Sequence, residues 1–163
     1  MTITLPDELS SLLNMLGFMW PNSDEVEVIN MGQEWMNWSA TLQQQVTEME
    51  AEALAIWGEN SSDDVAAFQE WWEAEDSPKA RLLEAVEGAQ EGGNGLLVAG
   101  MIILGLKIAV IVQLTILAIG IAKAIAAAAP TFGASLGVIP VLKISARVII
   151  GLLVEQAIWA ILT

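Results

Sequence analysis

The chain has 163 residues, of which 55% are hydrophobic, and a formal net charge of −14. It contains neither Cys nor His, which excludes disulfides, thiolate nucleophiles, imidazole bases and the common zinc sites. We therefore expect no enzymatic activity, cofactor or metal, and no nucleic-acid partner, because phosphate would repel so acidic a chain.

The charges divide the sequence into two unlike halves. Positions 1–94 hold 19 of the 20 acidic residues, with Lys79 and Arg81 as their bases. Positions 95–163 hold one acidic and four basic residues within otherwise apolar sequence. We predict an acidic amphipathic helical region over 1–94 and an apolar region over 95–163, joined in one continuous structural unit.

The first predicted elements are two amphipathic helices. Leucines spaced by three or four residues from Leu5 to Leu16 predict a short helix, and after Pro21 either Asn22 or Ser23 is expected to cap a longer one. The apolar residues of the longer helix are spaced by three or four and predict its buried seam: Val28, Met31, Trp35, Trp38, Leu42, Val46 and Met49. Such a seam requires an antiparallel partner helix.

A turn follows Trp57 and Gly58 and leads into a shorter helix, so these two helices are predicted to form a hairpin. The adjacent Trp71 and Trp72 place one ring inward and the other outward, where it could contact a partner protein or a bilayer interface. These four residues are the candidate targeting or partner contacts.

A third helix is predicted to begin at Ser77 and Pro78. Four glycines then weaken the helical pattern, because glycine has a low helix propensity: Gly88, Gly92, Gly93 and Gly95. We predict a kink or hinge at this cluster.

The sequence of positions 95–163 predicts an apolar helical hairpin around the turn between Pro130 and Pro140. Its charge-free runs of about 15 residues fall short of the 18 or more that define a membrane span. The Ile, Leu and Val content nevertheless favours insertion, with Lys107 near one end able to extend towards water. The last helix carries a polar stripe that should face water, a lumen or a partner: Lys143, Arg147 and Glu155.

These elements predict an all-α fold, an elongated helical bundle with a long amphipathic helical hairpin and an apolar C-terminal helical hairpin. A membrane-inserting hairpin and a soluble bundle whose apolar half is covered by protein both remain open at this point.

Several stretches carry a family resemblance. They are LPDELSSLLNMLGFMWPNSDE at 5–25, EWMNWSATL at 34–42, the Trp57–Gly58 turn before DDVAAFQEWW, and SPKARLLEAVEGA at 77–89. The sequence resembles the CpnT-like outer membrane channel protein N-terminal domains of actinobacterial polymorphic toxins, which are related to the small W-x-G helical-hairpin proteins of type VII secretion. Here the turn reads Trp-Gly-Glu where the small exported proteins have Trp, any residue, Gly, and the chain has no Tyr for their export signal.

The resemblance implies a domain that addresses a toxin to the type VII apparatus and forms a channel or translocation element. Its expected partners are the secretion apparatus, an effector domain or a small W-x-G protein, with a membrane or further copies of the chain as additional ones. No toxin domain follows Thr163, so we expect a fragment, a stand-alone version or the partner of a separately encoded effector.

The first residues, MTITLPDELSS, lack the basic segment of a secretory signal peptide. We therefore expect a secreted or membrane-associated protein that is exported without a Sec signal. Two alternatives stay open: a soluble helical adaptor or chaperone that buries its apolar half in an oligomer or against an effector, and a holin- or bacteriocin-like pore former.

Overall fold

The computed structural model describes residues 2–162, and over that range it contains helices and turns but no strand. The all-α prediction is confirmed. The helices are α1 (Asp7–Met15), α2 (Glu25–Glu59), α3 (Asp63–Glu73), α4 (Pro78–Ala126) and α5 (Val138–Leu162), with a 3₁₀ turn at Ala134–Gly137. The chain forms two compact units, Val28–Leu97 and the combination of Met1–Glu27 with Val98–Thr163.

Side-chain caps set the starts of three helices. The Asp24 carboxylate accepts hydrogen bonds of 3.1 and 3.2 Å from the backbone N–H groups two and three residues further on. Ser62 and Ser77 each accept one from the N–H three residues further on, which confirms the predicted Ser77 cap. The predicted cap of α2 at Asn22 or Ser23 is wrong, since Asp24 fills that position.

In the unit Val28–Leu97, α2 runs antiparallel to the first part of α4. The Ser39 hydroxyl donates a 2.8 Å hydrogen bond to the Val86 carbonyl, and Gly32 lies directly against Gly93. Within this unit, the buried residues of α2 are mostly small and recur every seven positions, which is the repeat of closely paired helices: Gly32, Ser39, Val46 and Ala53. The main partner of α2 is thus α4, and the predicted hairpin of α2 with the next helix is present at the end of α2, where Glu50 and Trp57 contact Trp72 and Phe68 of α3.

The predicted seam of α2 is largely wrong as well. Four of its large residues are exposed, by 47%, 44%, 49% and 37% for Met31, Trp35, Trp38 and Met49. Val46 is buried as predicted, and the remaining two, Val28 and Leu42, are partly buried. The apolar pattern marked the largest side chains, but the pairing uses the neighbouring small ones, which allow the two backbones to approach closely.

The glycine cluster does not interrupt α4, which continues through all four glycines as one helix of 49 residues. Gly93 is a packing position, because a Cβ there would lie 2.8 Å from the Met36 Cγ and 2.9 Å from the Gly32 carbonyl. No atom outside the helix lies within 4 Å of a Cβ built at Gly88, Gly92 or Gly95. A hinge function for the cluster stays a prediction.

In the other unit, α5 folds back antiparallel to the second part of α4, and Leu142 packs against Gly120. The turn between them contains Phe132 and Gly133 with φ angles of 52° and 83°, and the Ser135 hydroxyl holds it by a 2.7 Å hydrogen bond to a carbonyl of α4. The predicted apolar C-terminal hairpin is present.

Helix α1 covers one side of this hairpin. Its leucines join a buried cluster with residues of α4 and α5: Leu13, Leu16, Val110, Leu114, Leu117, Ala146 and Ile150. The first 27 residues therefore group with the apolar back of the chain. Their charge predicts a place in the acidic front, because the leucine stripe does not show which helix it covers.

Candidate functional site

A buried polar cluster lies inside the apolar hairpin unit. Lys107 is 1% exposed, and its Nζ donates hydrogen bonds of 2.6 Å to Glu25 Oε2, 2.6 Å to the Ser23 carbonyl and 2.9 Å to the Thr2 hydroxyl. The same Nζ lies 5.7 Å from the centre of the Trp20 ring. The ammonium thus contacts the N-terminal segment, and the prediction that it extends to water is wrong.

The Glu25 carboxylate is held in its charged form. Burial raises the pKa of this carboxyl, but hydrogen bonds from Lys107, the Ile3 backbone N–H and the Thr2 hydroxyl outweigh burial and lower the pKa from 4.5 to about 2. Lys107 and Glu25 therefore form a buried ion pair in which each buried side-chain N and O atom has a hydrogen-bond partner.

Outside this cluster, the hairpin presents an apolar outer surface. Two helical segments are long and apolar enough to cross a membrane, and only 17% and 11% of their most apolar windows are buried. Exposed large side chains recur along both helices and define the hairpin outer surface: Ile108, Val112, Ile116, Ile119 and Ile125 on α4, and Val141, Ile144, Val148, Leu152 and Ile158 on α5.

The predicted polar stripe of α5 lies partly outside the core. Arg147 and Glu155 are exposed, and Lys143 is partly buried. What this stripe faces in a complex stays a prediction.

An aromatic cluster joins the end of α2 to α3. The ring centre of Phe68 lies 5.7 Å from that of Trp57, 6.0 Å from that of Trp71 and 6.1 Å from that of Trp72. Trp72 is buried and Trp71 is 53% exposed, while Gly58 is exposed with open space around it. The structure thus brings three of the four candidate contacts together around Phe68. Phe68 is not among the residues predicted from the sequence, although it lies three and four residues before the two tryptophans.

Trp72 is fixed by a carboxylate of α2. Its Nε1 donates a 2.8 Å hydrogen bond to Glu50, whose carboxylate also pairs with Lys79 at 3.2 Å. The Trp72 hydrogen bond, supported by Lys79 and opposed by burial, lowers the pKa of Glu50 below its ordinary value. The aromatic cluster is therefore anchored to the α2–α4 pair.

The exposed residues of the predicted seam form a second surface on α2. The rings of Trp35 and Trp38 meet edge to face with centres 5.7 Å apart, and with Met31 and Glu34 they line an open groove of about 240 Å³. We call Met31, Trp35, Trp38 and Met49 the tryptophan stripe.

A family model, described as a WXG100 like domain, matches residues 5–148. The chain belongs to this family. Neither the curated proteins nor the solved structures include a match to it. The family makes this chain a helical protein associated with type VII secretion, exported without a signal peptide and acting with protein partners.

The match to the family model includes part of the apolar hairpin. It continues through the whole of α4 and into α5 as far as Val148, so the first arm of the hairpin and the beginning of the second fall within the WXG100-like domain. The match also includes α1, whose leucines cover one side of the hairpin. The relation to the small W-x-G proteins is confirmed, and the Trp57–Gly58 pair of this WXG100-like domain lies in the last turn of α2.

Proposed function

We propose that this WXG100-like domain is the non-enzymatic targeting and translocation domain of a type VII-secreted toxin system of the CpnT-like kind, and that its apolar hairpin enters a membrane. The observation that carries the proposal is the hairpin outer surface, which remains uncovered in a chain of a secretion-associated family.

The dimensions of the hairpin support this proposal. Helix α5 has 25 residues and a length of about 38 Å, against about 30 Å for the hydrocarbon core of a bilayer. A lysine in the middle of an apolar helix disfavours insertion, but Glu25 neutralises Lys107 within the same unit. An exposed surface of Ile, Val and Leu is more stable in lipid than in water.

The targeting part of the proposal rests on the end of α2. Trp57 is partly buried against Phe68, and the adjoining Gly58 leaves the backbone accessible. With the exposed Trp71 nearby, they form a surface that the secretion apparatus could bind.

Export of the tagged chain tests the targeting proposal. We expect it in the medium of a host with a functional type VII apparatus and not in that of a host whose apparatus is inactivated. The Trp57→Ala/Gly58→Ala variant should remain in the cells, whereas Gln43→Ala, on the exposed surface of α2, should be exported normally. Equal export by both hosts would refute the targeting role, and circular dichroism checks that both variants are folded.

A second candidate function is a soluble adaptor that covers its apolar half with protein. It is favoured by α1, which already covers one side of the hairpin with leucines. The adaptor would not be retained by lipid vesicles and would need an effector to cover its outer surface, which separates it from the first proposal.

A further inference from the structure

The tryptophan stripe is an apolar surface on a helix that has already found its partner. Helix α2 packs on α4 through its small residues, yet Trp35 and Trp38 on the adjacent side are both nearly half exposed. Two tryptophans with a large exposed area are typical of the central contacts of protein interfaces. The packing of this unit therefore does not explain why two tryptophan side chains lie on its surface.

The spacing of the stripe matches a helical ligand. Its members follow one another at intervals of four and three from Met31 to Trp38, and the line continues through the partly buried Leu42 to Met49. This line extends over about 27 Å, the length of a partner helix of about 18 residues. Anchors with this spacing are those of an amphipathic helix that lies along an apolar groove.

Acidic side chains accompany the stripe. Glu34, Glu48 and Glu52 are exposed and lie three or four residues from, or next to, a member of the stripe. The whole unit Val28–Leu97 holds fourteen acidic residues against Lys79 and Arg81. A second copy of this unit or an anionic bilayer would be repelled, whereas Lys and Arg beside an apolar face would be attracted.

We infer that the tryptophan stripe is a docking site for a basic amphipathic helix of a partner protein. The apolar face of that helix covers Trp35 and Trp38, and its flanking Lys or Arg residues pair with Glu34, Glu48 and Glu52. This inference is independent of the membrane insertion of the hairpin, which involves other residues.

A synthetic helix provides the probe. The binding peptide has 18 residues, with leucines on one face and lysines on both sides of it. One comparison peptide replaces each lysine by glutamate, and a second scrambles the order at constant composition. Fluorescence anisotropy of the labelled peptides should show salt-dependent binding of the first to the full chain and at least ~10-fold weaker binding of the other two.

Matched variants locate the site. Trp35→Ala/Trp38→Ala and, separately, Glu34→Lys/Glu48→Lys/Glu52→Lys should each weaken binding of the basic peptide by at least ~10-fold. Leu54→Ala/Leu83→Ala, which removes two exposed apolar side chains outside the stripe, and Glu70→Lys/Glu84→Lys/Glu91→Lys, which changes the charge equally, should alter the Kd by less than ~2-fold. All these residues are exposed, so circular dichroism should be unchanged.

Three results would overturn the inference. The first is equal weakening by the stripe variants and their controls, which would indicate non-specific attraction to an acidic protein. The second is loss of self-association in sedimentation on changing Trp35 and Trp38 while peptide binding is unaffected, which would assign the stripe to a second copy. The third is loss of capture by phospholipid vesicles on changing Trp35 and Trp38 while peptide binding is unaffected, which would assign the stripe to a bilayer.

Discussion

At the residue scale, the ion pair with Glu25 explains how an apolar helix can contain the charged Lys107. The two side chains are 82 positions apart, and both are almost fully buried. The sequence pattern identifies Lys107 as a charge within an apolar run and leaves Glu25 as one of many acidic residues in the front half. It could not match them, because a buried pair between distant positions leaves no local pattern.

Removing one partner should destabilise the protein strongly. Lys107→Met leaves the Glu25 carboxylate buried without its cation, so we expect a loss of about 3–5 kcal/mol in the free energy of unfolding. The double variant Lys107→Met/Glu25→Met should recover most of this loss, since no uncompensated charge remains. Urea unfolding followed by circular dichroism measures both, and a Lys107→Met variant as stable as the original chain would contradict the pairing.

The same pair predicts a dependence of stability on acid. Because the pKa of Glu25 is lower in the folded chain, its contribution is complete above the ordinary value of 4.5 and is lost as the pH falls towards about 2. Between these limits the free energy of unfolding of the original chain should fall by about 3 kcal/mol more than that of the Glu25→Gln variant. Urea midpoints measured across this range test it, and parallel curves for the two proteins would count against it.

At the element scale, the helices follow from the sequence better than their pairing does. The starts at Ser62 and Ser77 and the long run of α2 could be predicted from capping and periodicity. The face on which α2 packs could not, because periodicity ranks large apolar residues highest, whereas close pairing here needs Gly32 and Ser39. The contact of Gly32 with Gly93 depends on the absence of a side chain, which a hydrophobic pattern does not register.

Two glycine substitutions separate packing from helix propensity. Gly32→Ala places a Cβ 2.8 Å from the Gly93 carbonyl and should cost about 1–3 kcal/mol of unfolding free energy, even though alanine favours the helix. Gly92→Ala meets no atom within 4 Å and should stabilise the chain by about 1 kcal/mol. Thermal or urea unfolding would reveal the opposite signs; stabilisation by both would show that the two helices do not approach closely at Gly32.

At the scale of the whole molecule, the chain combines an acidic helical pair with an apolar hairpin, as its charge distribution predicted. The role of the first 27 residues was not predictable in this way, since Leu13 and Leu16 suit any apolar partner. Only the folded unit shows that they cover the hairpin on one side and that Glu25 neutralises its lysine. The domain thus protects one side of its apolar hairpin and presents the other.

Membrane insertion of the hairpin is tested most directly by measuring the environment of the hairpin outer surface in the presence of lipid. The chain has no cysteine, so Ile116→Cys, Ile144→Cys and, as a control on α2, Glu52→Cys each give a unique site for an environment-sensitive fluorophore. With phospholipid vesicles, the labels at 116 and 144 should shift to shorter emission wavelengths and be quenched by nitroxides on the lipid chains, and the label at 52 should not. Labels at 116 and 144 that remain as exposed to water as the label at 52 would contradict membrane insertion.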